Sequence, residues 1–192
     1  MKKNLLLIML AAMVLPLVAR AADDAEQKGW NVGLGVAVGM NYRHNATLEI
    51  TPRTGYRFNP RWELGGYLQF VHNSYESEMN HYGIGMFGEY TAFRKGGFRL
   101  FVDGKASINF GAPKVVYYGE KDSKSGYIEA GFVPGVAYRL PDSRFELKLR
   151  YMYLGYLYGD PDYRDAPGCF GKSSFIFDAG LRRAEMSVVY NF

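Results

Sequence analysis

One cysteine, Cys169, occurs in the 192 residues, so no intrachain disulfide can form and a small exported disulfide scaffold is excluded. A strong excess of one charge is also lacking. The 23 Lys and Arg against 19 Asp and Glu leave a net charge of +4, and Lys2 and Lys3 account for part of it. So mild a surplus, spread along the chain, gives no case for nucleic acid as a partner. Helical periodicity is scarce. Apart from residues 5–18, no apolar run approaches the length of a membrane-crossing helix. What remains in quantity is glycine, at 23 residues, and aromatics, at 16% of the chain, chiefly tyrosine and phenylalanine.

The opening "MKKNLLLIMLAAMVLPLVARAADD" has a basic head at Lys2 and Lys3, a short apolar stretch and a small-x-small site at Ala19, Arg20 and Ala21. This is the pattern of a secretory signal peptide over residues 1–21, and Pro16 argues against a retained anchor helix. No cysteine directly follows the apolar stretch, which speaks against a lipid-anchored lipoprotein. Residues 22–192 then suffice for one domain of ordinary size.

That domain alternates. In "WNVGLGVAVGM", Trp30, Val32, Leu34, Val36, Val38 and Met40 oppose Asn31, Gly33, Gly35, Ala37 and Gly39. Period-2 patterning of this kind marks a strand with one apolar wall. It recurs in "TLEITPRTGYRF", "WELGGYLQF", "HYGIGMFGEY", "FRLFVDGKASINF", "YIEAGFVPGVAYRL" and "FELKLRYMY", the last placing Tyr153 on the apolar wall with Tyr151 and Leu149. The final "EMSVVYNF" sets Met186, Val188, Tyr190 and Phe192 against Glu185, Ser187 and Asn191, with Val189 the apolar exception. That makes eight strands. Tight turns at residues 59–61, 94–97 and 141–143 alternate with longer connections at 41–46, 72–80, 111–126 and from 156 into the 170s. Short-long alternation over an even number of antiparallel strands predicts a barrel in an outer membrane, with short turns periplasmic and four loops at the surface.

Aromatics give a separate check, because an interfacial girdle should gather beside the short turns. Trp30, Phe58, Trp62, Tyr90, Phe93, Phe98, Tyr138, Phe145, Tyr190 and Phe192 all fall there, and every strand supplies a member. The polar wall carries Arg53, Arg57, Arg99, Lys105, Arg139, Lys148 and Arg150 against Glu49, Glu63, Glu89, Asp103, Glu129, Glu146 and Glu185. A soluble sandwich or an exported calyx would hold these charges in water, whereas a bilayer inverts the phase and turns them into the lumen. Unpaired buried charge is costly, so an ion-pair network is expected among Glu49, Arg53, Glu63, Glu89, Asp103, Lys105, Glu129, Lys148, Arg150 and Glu185, and with it a plugged lumen.

Some residues sit badly in such strands. Pro52 and Pro134 lack a donor and should bring bulges or missing bonds. Gly66, Gly88 and Gly104 fall on the lipid wall and call for a covering aromatic. Extending the last strand backward puts Phe175 and Phe177 inside and Asp178 outside, so a break near residues 178–182 is expected.

With its signal peptide, eight amphipathic strands and terminal "MSVVYNF", the chain resembles the small outer-membrane β-barrel proteins of Gram-negative bacteria, the OmpA/OmpX-like group often labelled porin family. The resemblance covers the whole mature chain and rests on pattern rather than on one specific motif. It implies an all-β fold, an eight-stranded antiparallel up-and-down transmembrane barrel after a cleaved signal peptide. It also implies that the barrel-assembly machinery reads Phe192, Tyr190, Val188 and Met186 as an insertion address. Outer-membrane lipid and lipopolysaccharide are the expected surroundings, a monomer the expected state, and no cofactor is called for.

Other chemistry is thin. His44, His72 and His81 fall at the surface end with Glu76 and Glu78, where solvated rim residues are the ordinary reading over a metal site. His72 and Ser74 in "HNSYE" share the His-x-Ser spacing of barrels that deacylate lipid A, but no following asparagine and no partner glutamate accompany them. The loops "GAPKVVYYGEKDSKSG" and "YLYGDPDYRDAPGCFGK", which contains Cys169, mix tyrosine with charge, as adhesive surfaces do. The sequence therefore predicts a non-enzymatic barrel with a structural or surface-interacting role, a narrow solute channel being the alternative. Fractionated cells should release the protein only with detergent, as a folded band whose gel mobility changes on heating. Extraction by salt alone, without that change, would mark a soluble carrier.

Overall fold

The computed structural model describes residues 28–40, 46–73, 81–112, 125–159, 173–179 and 184–192. The signal peptide and most of the four long connections lie outside the described residues. Ten strands are present: β1 (Gly29–Met40), β2 (Ala46–Arg57), β3 (Trp62–Asn73), β4 (His81–Lys95), β5 (Phe98–Ala112), β6 (Ser125–Arg139), β7 (Phe145–Arg150), β8 (Tyr153–Gly159), β9 (Ser173–Asp178) and β10 (Glu185–Asn191). They form one antiparallel sheet in the order β5-β4-β3-β2-β1-β10-β7-β6-β8-β9, and a further β5–β6 pairing closes it on itself. β7 and β8 lie along successive lengths of β6, so they are two parts of one stave. β9 continues beside β8 and β10 beside β7, which makes a second divided stave. Ten segments thus build eight staves.

The seam joins the first and last staves. Asn31↔Asn191 through Ala37↔Glu185 are in register, and the Phe192 amide donates to the Trp30 carbonyl at 2.9 Å. This seam closes the sheet over Asn31–Ala37, as hydrocarbon favours because it offers backbone groups no partner, while β9 is paired with β8 alone among the described strands.

The phase of the wall is inverted relative to a soluble protein. Leu34 lies between Pro52 of β2 and Val188 of β10, and Val188 faces Leu147 of β7. Leu34 is 50% exposed and Val188 47%, while Glu89 and Asp103 are buried. Among the buried described residues, polar and charged side chains outnumber hydrophobic ones. A soluble calyx would show the reverse. Val189, the apolar residue on the polar wall, is fully buried. The girdle stacks as rings, with Trp62–Tyr90 centroids 4.9 Å apart and Phe145–Tyr190 5.2 Å apart. A second aromatic group, including Tyr82 stacked on Phe110 at 6.0 Å, lies toward the long-loop end.

The alternation fails at Tyr153. Its apolar neighbours place it on the lipid wall, but it is 1% exposed and points into the lumen. The cause is a slip of one residue between the β6–β7 and β6–β8 ladders, absorbed at Met152, which takes a positive φ of 71°. Pro134 lies opposite. It has no amide hydrogen, though its carbonyl still accepts from the Tyr151 amide at 3.0 Å. A bulge re-aims every side chain beyond it, because side-chain direction has a period of two. Paired with β6, β8 runs on through residues 156–159, which the sequence places in a loop. A second slip between Thr91 and Phe93 lets Tyr90 and Phe93 both serve the girdle while Thr91 turns inward.

Pro52 produces no slip. The β2–β3 ladder passes from Ile50↔Phe70 to Arg53↔Tyr67 in constant register, with the intervening pairs missing from it. The expected break after Asp178 is where β9 stops. Phe175 and Phe177 face out and Asp178 faces in, opposite to a backward extension of β10. Phe132 covers Gly104, approaching the position of a Cβ there to 3.5 Å, whereas Leu64 rather than an aromatic lies beside Gly88.

Placing a charge on the outer wall at Leu34, near the middle of β1, should cost ~2–4 kcal/mol as Leu34→Arg. Urea titration of the heat-modifiable folded form in vesicles would measure it, and an unchanged midpoint would contradict the inverted wall.

Candidate functional site: the charged lumen

Inward residues from six staves converge on the axis. Arg53 and Arg57 come from β2, Glu63 from β3, Glu89 from β4, Arg99 and Asp103 from β5, Glu146, Lys148 and Arg150 from β7, and Glu185 from β10. β1 and β6 face them with small residues, including Gly33, Gly35, Gly131 and Gly135. The space is taken by neighbours: a Cβ on Gly131 would meet the Tyr153 ring at 2.7 Å, and one on Gly135 would collide with Phe101.

These ten side chains form one connected, charge-neutral cluster. Toward the short turns, Arg57 pairs with Glu63 at 2.9 Å and Glu146 at 3.5 Å. Arg99 grips Glu146 through two nitrogens at 2.6 and 3.1 Å, and also bonds Glu89 and the Thr91 hydroxyl. Lys148 donates to Glu89 at 2.8 Å and lies 3.7 Å from Glu63. In the next layer Arg150 reaches Asp103 at 2.6 Å, Glu185 at 3.0 Å and the Ser187 hydroxyl at 2.7 Å. Arg53 reaches Asp103 at 3.2 Å and Glu89 at 4.0 Å. Glu89 is the hub, in ion pairs with Arg53, Arg99, Lys148 and Arg150.

Aromatic rings fill the gaps between charges. Arg53 stacks over Phe87 at 3.7 Å, and Phe101 is approached by Arg99, Lys148 and Arg150 at 5.2, 5.5 and 5.4 Å. Ring faces attract cations most strongly where water is excluded. Above this layer, Lys105 sits between Tyr67 and Tyr153 at 5.9 and 5.8 Å, with Glu129, Glu49 and Glu185 as its acidic neighbours. Glu49 accepts from Gln69 at 2.8 Å. A cavity of about 20 Å³ lies here against Glu49, Lys105, Arg150 and Tyr153. It has room for about one water molecule.

Of the ten residues expected in the network, Arg53, Glu63, Glu89, Asp103, Lys148, Arg150 and Glu185 lie in the main cluster. Glu49, Lys105 and Glu129 form the group above it. Arg57, Arg99 and Glu146, which the alternation already places on the polar wall, join the main cluster and complete its balance. At the C-terminal strand, Met186, Val188 and Phe192 are exposed on the outer wall, and Tyr190 stacks between Phe145 and Phe192. His72 is exposed opposite Leu48, and His81 opens β4. His44, Ser74, Glu76, Glu78 and Cys169 lie outside the described residues. Among the described residues no group of three His, Cys, Asp or Glu is placed to hold a metal.

The family model described as "Outer membrane protein beta-barrel domain" matches residues 7–171. The chain belongs to that family. As an outer-membrane β-barrel protein it resides in the outer membrane of a Gram-negative bacterium, in contact with its lipids. No curated protein matches the sequence. Among solved structures, the barrel is similar to the crystal structure of Neisserial surface protein A. The TM-score is 0.52 at 18% identity, over 88% of this chain and 100% of the other. At that identity the likeness concerns the fold.

Removing the hub should be severe, because it leaves four cations short of a partner in a dry interior. Glu89→Ala should cost about 3–5 kcal/mol, as breaking a buried ion pair does. The urea midpoint of the folded band would report it. A cost no larger than that of an exposed pair would show that the cluster does not bind the staves together.

Proposed function

We propose that this outer-membrane barrel is a closed, non-enzymatic, monomeric scaffold that presents its long loops at the cell surface for structural or adhesive contacts. The observation that supports this most strongly is the neutral cluster of five cations and five carboxylates spread over six staves. Lys148 and Arg150 are among the largest fully buried side chains, with Glu63, Glu89 and Asp103 beside them. An open pore would leave such side chains wet. The cross-links also stiffen the wall, and rigid scaffolds are where loops commonly carry function. Tyrosine mixed with charge in residues 113–124 and 160–172 fits a contact surface, whether for lipopolysaccharide or for a partner outside the cell.

In the same reading the terminal strand has two jobs. Met186, Val188, Tyr190 and Phe192 form the oily side of the closing seam, and they serve as the insertion address for the barrel-assembly machinery. The alternative, a narrow channel for small solutes, would need the cluster to part.

Planar-bilayer recording separates the two readings. The wild-type barrel should show no steady conductance steps. Replacing Glu89 and Arg150 together with alanine should raise the frequency of brief openings, because it removes the hub and its link to Asp103 and Glu185. Steady, reproducible wild-type steps would overturn the closed scaffold in favour of the channel.

A further inference from the structure

Outside the ten-residue lumen cluster, the short-turn end carries charge mostly of one sign. Lys28, Arg61, Arg94, Lys95, Arg139 and Arg144 ring this rim, and among the described residues Asp142 is the one acidic side chain outside the cluster there. Arg57, Glu63 and Glu146 are buried and paired with one another. The rim is also at a defined height. Arg61 directly precedes Trp62, Arg94 follows Phe93, Lys95 pairs across the hairpin with Phe98, Arg139 follows Tyr138, and Arg144 precedes Phe145. The cations therefore sit next to the aromatic girdle, at the level where lipid headgroups meet hydrocarbon.

Several are held in place rather than waving in solvent. Arg94 donates to the Pro60 carbonyl at 3.3 Å, Arg139 to the Ser143 carbonyl at 3.3 Å, and Arg144 to the Tyr190 hydroxyl at 3.4 Å. Between the β4–β5 and β6–β7 turns lies a groove of about 550 Å³ lined by Gly96, Gly97, Arg139, Pro141, Ser143 and Arg144, with Asp142 as the one carboxylate on its wall. Gly96, with a positive φ of 57°, has nothing within 4 Å of where a Cβ would stand, so the mouth of the groove is open.

We infer that this rim is a binding surface for anionic phospholipid headgroups of the periplasmic leaflet, with the Arg139–Arg144 groove as its best-formed seat. The inference rests on the outer-membrane placement and not on the closed lumen or on the role of the loops. Acidic cell-wall polymer shares the charge. The girdle favours lipid, because it fixes the cations at headgroup depth and one of them, Arg144, is hydrogen-bonded to the girdle's Tyr190.

The molecule carries its own probe. Its two tryptophans, Trp30 and Trp62, are both at this rim, and both are exposed toward lipid. The mature chain, with the acidic Asp23, Asp24 and Glu26 retained, is folded into phosphatidylcholine vesicles containing a small fraction of brominated phosphatidylglycerol or brominated phosphatidylcholine. Bromine near the carbonyl end of the acyl chain quenches tryptophan on contact. The anionic lipid should associate about tenfold more strongly than the zwitterionic one, as a few cations at a membrane surface would give. The preference should shrink in high salt. The variant R61Q/K95Q/R139Q/R144Q, verified as folded by its heat-modifiable band, should bring the two lipids close to parity. The single changes R139Q and R144Q keep the comparison available if the quadruple variant folds poorly, and each should lower the preference in part. Equal quenching by both lipids in the wild type would overturn the inference. So would an unchanged preference in folded variants, or co-sedimentation of the detergent-solubilised protein with purified cell-wall sacculi in the absence of any lipid preference.

Discussion

Burying a charge is affordable only when its partners are buried with it, and the barrel is organised around that condition. Carboxylates and guanidinium groups taken from water lose solvation worth several kcal/mol each. Coulomb attraction in a low dielectric returns that loss only if geometry is good and most valences are met. Glu89 is surrounded by four cations, and each of those cations has another carboxylate within reach. The cluster therefore closes as a unit. Because its members come from β2, β3, β4, β5, β7 and β10, satisfying them also brings those staves to one radius and one register.

The outer wall obeys the complementary condition. Lipid adds little attraction between staves beyond that of their own side chains, so the backbone ladder and the lumen carry cohesion. Proline tests this arrangement. Pro52 leaves gaps in the ladder to β3 without displacing the register, and its neighbour Arg53 remains on the inner wall with Asp103 and Phe87. Pro134 lies where β7 gives way to β8, so a residue that cannot donate faces the place where the partner strand slips. In both cases the residue poorest at pairing occupies a position where the ladder is already relaxed.

Most of this fold is legible in the sequence because barrel strands follow one rule, alternation, repeated eight times. The girdle, the closing strand and the inverted wall follow from that rule and the placement of short turns. What alternation cannot show is where a residue is inserted into the count. Tyr153 looks lipid-facing because Leu149 and Tyr151 are. Only the positive φ at Met152 reverses it, and methionine carries no signal for that conformation. Pro134 does carry a signal, but for its own strand rather than for the neighbour that bulges. The cluster was legible as a set of charges and less so as a set of contacts. Arg57, Arg99 and Glu146 lie near the turns, where charges ordinarily read as solvated. Their burial depends on side chains arriving from distant strands, such as Glu146 reaching Arg57 across 89 positions of sequence.

The slip at Met152 divides the tube into two storeys with different keys. Below it, ionic partners must match one another across the axis, and a change in one side chain demands a change in several. Above it, the Tyr153 ring and Leu157 share the interior with the charged group of Lys105, Glu49 and Glu129. A single residue of unusual backbone thus decides which side chains of its stave meet the upper charged group, and Glu185, beside both Arg150 and Lys105, ties the two levels together.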